Sequence, residues 1–285
     1  MARDDPRAEI PLELWDVIGH FGLAAGNANV VMQLSRLPVG YGVALSSVDS
    51  GRVDKHPLKR LRTTVTYLGI ALLGTEQERQ VMRAEVNRAH SSVRSRPEDP
   101  VQYNVFDPEL QLWVAACLYQ GTVDVFRRLY RHELPPRRAE TVYQYAKRLG
   151  TTLQVNEEMW PADLEAFADY WESGLRQIEM DRLTREYLQS IAQLEFLVAP
   201  PGRLGLLLRP LLRPIGRFLT LGWLPEPFRR ELGLPWSRRQ QRLFDAHIRI
   251  YAAITRRLPL PLRQFPLNVY LADARHRIRE RRPIV

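Results

Sequence analysis

An all-α fold is what this sequence predicts, on three observations. Apolar residues recur at three-to-four spacing along almost the whole chain, alternating β-branched runs bounded by turn residues hardly occur, and prolines stand where helices would begin. With 285 residues, 45% of them apolar and 26% charged, the chain can bury a sizeable core without disulfides or a structural metal. A single multi-helix globular domain is expected over 1–285, with residues 1–25 and 278–285 peripheral.

The spacing predicts helices over roughly 58–73, 76–95, 107–131, 137–149, 161–178, 180–198, 203–221, 237–257 and 269–281. Pro57 pre-sets the first turn of the first of these, Asp107-Pro108 reads as an N-cap followed by proline, Pro135-Pro136 and Pro161 play similar parts, and Gly150 reads as a C-cap. The chain before residue 57 is less regular, and the glycines of GNANVVMQL and LPVGYGVALSSVDSG imply backbone packed closely against something. The leucine-rich stretch GRLGLLLRPLLRPIGRFLTLGWLPEPFRRELGLPW, residues 202–236, carries arginines at intervals. Pro210 and Pro214 should break it into short helices that fold back as a core-facing lid, with contact to a membrane surface through 203–224 as its other reading. The tail RHRIRERRPIV reads as a frayed basic C-terminus.

Composition removes several function classes. Cys117 is the only cysteine, which excludes an intramolecular disulfide, a CxxC pair and a cysteine-built metal site, and favours a reducing, cytoplasmic setting. Its expected role is a small buried residue, a thiolate ligand being the weaker reading. No signal-length apolar run opens the chain and no stretch of about 18 uncharged apolar residues follows, so neither secretion nor membrane spanning is expected. The net charge of +9 is nearly all arginine, since lysine occurs only at Lys55, Lys59 and Lys147. A solvated basic face is the simple account, nucleic acid or anionic lipid the alternative, and no nucleic-acid partner is expected. GxGxxG after a strand, GxxxxGK[ST], HExxH and GxSxG are all missing. A carboxylate-bridged iron pair needs Glu-x-x-His, but Asn87 and Phe244 stand three before His90 and His247.

Of six histidines, only His90 lies within a strongly periodic helix, where Met82, Val86, Ala89 and Val93 set an inward face. An inward imidazole needs a partner, either a hydrogen bond or a metal. His20 and Asp16, four apart, read as a surface pair. In KRLRTT, Arg60 and Thr64 share one helical face with Tyr67 and Leu68, and a shared polar partner or a simple ion pair with a back-bonded threonine would each satisfy them. Arg94 follows His90 by one turn and would reach either Glu98 or an acidic ligand.

The serial order KRLRTTVTYLGIALLGT, VNRAHSSVRS and YNVFDPELQLWVAACL resembles the MpaB-type oxygenase family, which includes the rubber-cleaving latex clearing proteins. The likeness extends to GNANVVMQL, LPVGYGV, LPEPFRRELGLPW, LPLPLRQFP and YLADARHR, and so covers about residues 26–277. The resemblance implies an all-α fold enclosing haem b, with His90 as the proximal ligand to iron, Arg60 and Thr64 in the haem pocket as the catalytic candidates, and Arg94 near a propionate. The chain departs from the latex-clearing branch in two ways. Thr63 stands where that branch has a lysine, and GYGVALSS supplies no acidic residue. Ala115 and Ala116 also occupy a stretch where the family often has a histidine. The resemblance thus implies a haem-dependent oxygenase or oxidoreductase acting with O2 on an apolar, isoprenoid-like substrate, the alternative being a non-catalytic haem-binding or haem-sensing protein.

Overall fold

The computed structural model describes residues 12–45, 56–195 and 203–284. Helices follow one another as α1 (Leu12–Ile18), α2 (His20–Leu23), α3 (Gly26–Gln33), α4 (Leu37–Ala44), α5 (Pro57–Leu73), α6 (Glu76–His90), α7 (Pro108–Tyr130), α8 (Pro136–Ala146), α9 (Arg148–Thr151), α10 (Leu164–Leu175), α11 (Arg182–Ala192), α12 (Arg203–Trp223), α13 (Glu226–Leu232), α14 (Arg238–Thr255), α15 (Leu260–Arg263) and α16 (Leu267–Arg279). Among the described residues there is no strand, only one antiparallel bridge between Arg94 and Asn104. The all-α expectation holds. The SSVDSG run, the end of the helix expected to reach 198 and the opening of the chain lie outside the described residues.

The caps explain most boundaries. Pro57, Pro108 and Pro136 stand in the first turns of α5, α7 and α8, and Asp107 accepts from the amides of Glu109 (2.8 Å) and Leu110 (3.4 Å). Thr75 and Glu78 close a capping box at the start of α6, and Ser237 and Gln240 do the same for α14. The helix expected from Pro161 begins later, at Leu164, because Asp163 caps it by accepting from Ala166 N at 2.8 Å. Gly150 is not a C-cap. It lies inside α9, where a Cβ would stand 3.2 Å from Ala115 Cβ, so two small residues bring α9 and α7 together.

Helix α7 is the centre of the core, packed against α1, α2, α3, α9 and α14. Its Leu112, Trp113, Ala116, Cys117, Phe126 and Leu129 are buried, and Trp113 stacks on Trp171 of α10 at 5.4 Å. Three expectations are corrected. Residues 12–45 are largely helical, and glycines such as Gly40 mark close approaches: a Cβ there would meet Leu34 O at 2.8 Å and Thr184 Cγ2 at 2.9 Å. Helix α12 runs unbroken through Pro210 and Pro214, which stand four apart, so the bonds they forgo fall along one edge while the rest of the ladder persists. The C-terminus is held down: Ile284 is buried, and its amide donates to Glu85 at 3.1 Å.

Candidate functional site

Helix α6 ends at His90, not at residue 95. Beyond it the chain turns, Val93 N donating to His90 O (2.9 Å), and runs antiparallel to 103–105 through Ser95 N to Tyr103 O (2.9 Å) and Val105 N to Val93 O (3.2 Å). This ribbon, the last turn of α6, α4 with the end of α3, α5, α7 and α9 together line one cleft. Its walls are mostly aliphatic, among them Leu34, Val39, Val43, Val114 and Leu118, and its polar groups include Gln33, Arg60, Tyr67, His90, Asn104 and Gln111. Among the described residues no carboxylate lines it.

Hydrogen bonds fix the walls. Tyr67 donates to Leu149 O at 2.6 Å, joining α5 to α9. A chain of side-chain amides crosses the floor: Gln154 donates to Asn87 of α6 (2.9 Å), and Gln111 of α7 donates to Gln154 (2.7 Å) and to Val105 O (2.7 Å). Asn87 lies one turn before His90, so this network pins the turn that carries the imidazole. Nothing in the sequence periodicity flags Gln154, which braces the His90 turn from behind the lining, 67 residues along the chain from Asn87.

Two groups face the cleft without partners. Among the described residues, the His90 imidazole has no hydrogen bond or ion pair. Burial, with the nearby Arg60 guanidinium adding to it, pushes its pKa down to about 4. The ring is therefore neutral at physiological pH, the form that ligates a metal. Arg60, partly buried, likewise has no ion pair for its guanidinium among the described residues. Burial lowers its pKa, and Tyr187 pulls the other way. Thr64 is partly buried on the same helical face, one turn from Arg60, and does not line the cleft. Thr63 turns its hydroxyl back onto Arg60 O at 3.1 Å. Arg94 is exposed in the bridge to Asn104, outside the lining, and makes no ion pair with Glu98. It leaves the cleft because the helix that would have carried it one turn past His90 has already ended.

The other sequence candidates lie elsewhere. Asp16 and His20 do not pair: buried Asp16 accepts from Tyr130 and Arg263, while His20 Nδ1 meets the Tyr251 hydroxyl at 2.6 Å. Cys117 is buried outside the cleft, and burial pushes its thiol pKa up, away from the thiolate a metal needs. Among the described residues no group of three or more His, Cys, Asp or Glu could hold a metal ion, and no helix is long and apolar enough to cross a membrane. A metal at His90 would therefore draw its other ligands from outside the described residues.

The haem implied by the resemblance can be tested against these residues. The donors fit: one neutral, unpartnered imidazole and one unpaired cation within an aliphatic enclosure. The open space is tight, about 200 Å³ against the ~300–1,000 Å³ of usual ligand pockets. Seating a macrocycle thus means parting a wall of the cleft.

Comparisons with known proteins agree with this geometry. Residues 15–256 match the family model described as ER-bound oxygenase mpaB/B'/Rubber oxygenase, catalytic domain. The chain is 47% identical over 258 residues to the uncharacterized protein Rv2237 of Mycobacterium tuberculosis and to the uncharacterized protein Mb2261 of Mycobacterium bovis, covering 90% of this chain and 98% of each relative. No solved structure matches. With the match spanning every wall of the cleft, the chain belongs to the ER-bound oxygenase MpaB/B′ and rubber oxygenase catalytic-domain family.

Proposed function

We propose that this oxygenase-family protein is haem-dependent and oxidises an apolar substrate with O2, His90 being the axial ligand and the α3–α7 cleft the place of reaction. The observation that carries this is the unpartnered, neutral His90 imidazole in an aliphatic cleft beside an unpaired Arg60. A lone imidazole cannot hold iron firmly, and a macrocycle supplying four nitrogens removes that difficulty. When bound, haem supplies O2 binding and activation. The chain's own groups do the rest. Asn87, Gln154 and Gln111 hold the His90 turn, and Arg60 adds to the burial that keeps the imidazole deprotonated while offering a charge to a propionate or another anionic group. The Leu and Val walls exclude water and favour an aliphatic, isoprenoid-like substrate.

A second reading, haem binding without turnover, is favoured by one observation. Thr63 directs its hydroxyl at its own helix, and no carboxylate lines the cleft among the described residues, so none of these supplies a carboxylate base to a substrate. Absorption spectra with and without added haemin, for wild type and His90→Ala, test the cofactor: a Soret band in the wild type that shifts or disappears in the variant is expected. Equal bands in both remove His90, and no band in either removes haem. O2 uptake with apolar polyenes then separates turnover from binding alone.

A further inference from the structure

Exposed large apolar side chains are concentrated in one part of the chain. Leu243, Ile250, Ile254, Leu260, Leu262, Phe265 and Val269 all fall within 27 consecutive residues, 243–269, each at least half exposed to solvent. On α14, Leu243, Ile250 and Ile254 are spaced seven and four apart and form one stripe, opposite the buried face of Phe244, Ile248 and Ala252. Tyr251, on the flank of α14 toward that stripe, bonds His20 of α2, and α15 also packs on α2. The exposed Leu260, Leu262 and Phe265 of the α15 region follow in the chain just beyond this stripe, across the turn at Pro259.

The charge beside this surface has one sign. Residues 238–272 contain seven arginines and one acid, Asp245, which Arg128 of α7 already engages at 3.0 Å. Arg239, Arg242, Arg249, Arg256 and Arg257 are exposed along the other flank of the stripe. An apolar stripe with an arginine border and no free carboxylate complements an anionic lipid surface, where the aliphatic groups enter the acyl boundary and the guanidinium groups meet phosphates.

We infer that α14 and α15 form a docking face for an anionic bilayer, held in the plane of the lipid headgroups. A second copy of the chain fits poorly, because two-fold pairing of this face sets arginines against arginines. A folded acidic partner fits less well too: the face lacks exposed Trp or Tyr anchors, and its Leu-Pro-Leu-Pro-Leu turn suits a fluid phase that conforms to it. This inference is independent of haem.

The test uses the full chain and sedimentation with vesicles of phosphatidylcholine alone or mixed with phosphatidylglycerol. Wild type should bind the anionic vesicles, release at about 0.5 M salt, and bind at least tenfold more weakly as the triple variant Ile250→Ser, Ile254→Ser, Phe265→Ser. These side chains are exposed, so the variant keeps its helical circular dichroism. It also keeps every arginine, so undirected electrostatic adhesion would leave its binding unchanged. In a second arm, Leu262→Cys carries an environment-sensitive fluorophore, Cys117 being buried and unreactive, and its emission should shift to the blue on anionic vesicles. Equal vesicle binding by wild type and triple variant, or no fluorophore shift on bound vesicles, overturns the inference. So does wild type that ignores lipid but self-associates, or binds only an acidic protein, through the same three residues.

Discussion

Asp124 offers the most direct check on the energetics of the central helix. Its carboxylate sits on α7 beside an apolar pocket of about 330 Å³ lined by Leu14, Val17, Phe126 and Phe167. It accepts from Gln120 at 3.2 Å and lies 3.9 Å from Arg127, a distance that weakens the pair. Burial outweighs the attraction of Arg127 and Arg128, and its pKa is pushed up from 3.8 to about 6. The native state therefore holds a proton that the unfolded chain has released, and stability falls as pH rises from about 4 to 6 and stays lower above that. A shift of about 2 units corresponds to roughly 3 kcal/mol at neutral pH, an upper figure for a group that is about a quarter exposed. Asp124→Asn keeps an oxygen for Gln120 and removes the charge. The variant should be more stable by about 1–3 kcal/mol at pH 7.5, a Tm gain of about 2–8 °C, with the gain vanishing near pH 4. Thermal and urea unfolding followed by circular dichroism at pH 4, 5.5 and 7.5 measures it. An Asn variant no more stable than wild type at pH 7.5, or a gain equal at all three values, refutes the reasoning.

Three further outcomes are expected. Arg60→Met removes an unpaired, partly buried cation and should raise the melting temperature of the haem-free protein while weakening haemin retention at least several-fold, measured by calorimetry and by Soret titration. Gly222→Ala should cost about 1–3 kcal/mol despite better helix propensity, because its Cβ would stand 2.5 Å from Phe244 Cε2 in the α12–α14 contact; urea midpoints check it. Gln154→Leu cuts the amide chain to Asn87 and should broaden or shift the His90 ring signals in NMR spectra of the haem-free protein, with Gln154→Glu restoring part of the native pattern.

The sequence showed most of the scaffold because α5–α8, α10–α12, α14 and α16 are long enough for a 3.6-residue period to declare itself, and most carry proline, aspartate, serine or threonine at their starts. It hid α1–α4, α13 and α15 because four- to eight-residue helices span barely two turns, and the glycines in α4 serve close packing instead of chain reversal. It misjudged α12 by treating each proline as a stop, when two prolines on one edge leave the opposite hydrogen bonds intact. At the site, the inward aspect of His90 and the shared face of Arg60, Thr64 and Tyr67 were legible from spacing alone. The end of α6 was not, because VNRAHSSVR continues the apolar period past the point where the chain turns, and that displaced Arg94. Tyr103, the α4 wall and the bracing Gln154 come from remote segments that only tertiary packing brings together.

The contrast between the cleft and other polar clusters explains why function is read there. Asp16 is met by Tyr130 and Arg263, Asp181 by Tyr41 and Thr184, and Glu78 by Arg275, so these charges carry their own answers within the fold. Arg36, short of a hydrogen bond at Nε, lies over the face of Trp113 at 4.2 Å. Arg60 and His90 have no such answer. Burial, with the nearby cation adding to it, keeps the imidazole neutral. Both groups are only partly buried and open onto one cleft, and the Asn87–Gln154–Gln111 chain braces the turn that carries the imidazole, so a ligand entering there meets both. Under the function proposed above, a metal macrocycle with acidic side arms would accept the imidazole lone pair, pair with the arginine and set an apolar body against leucine and valine.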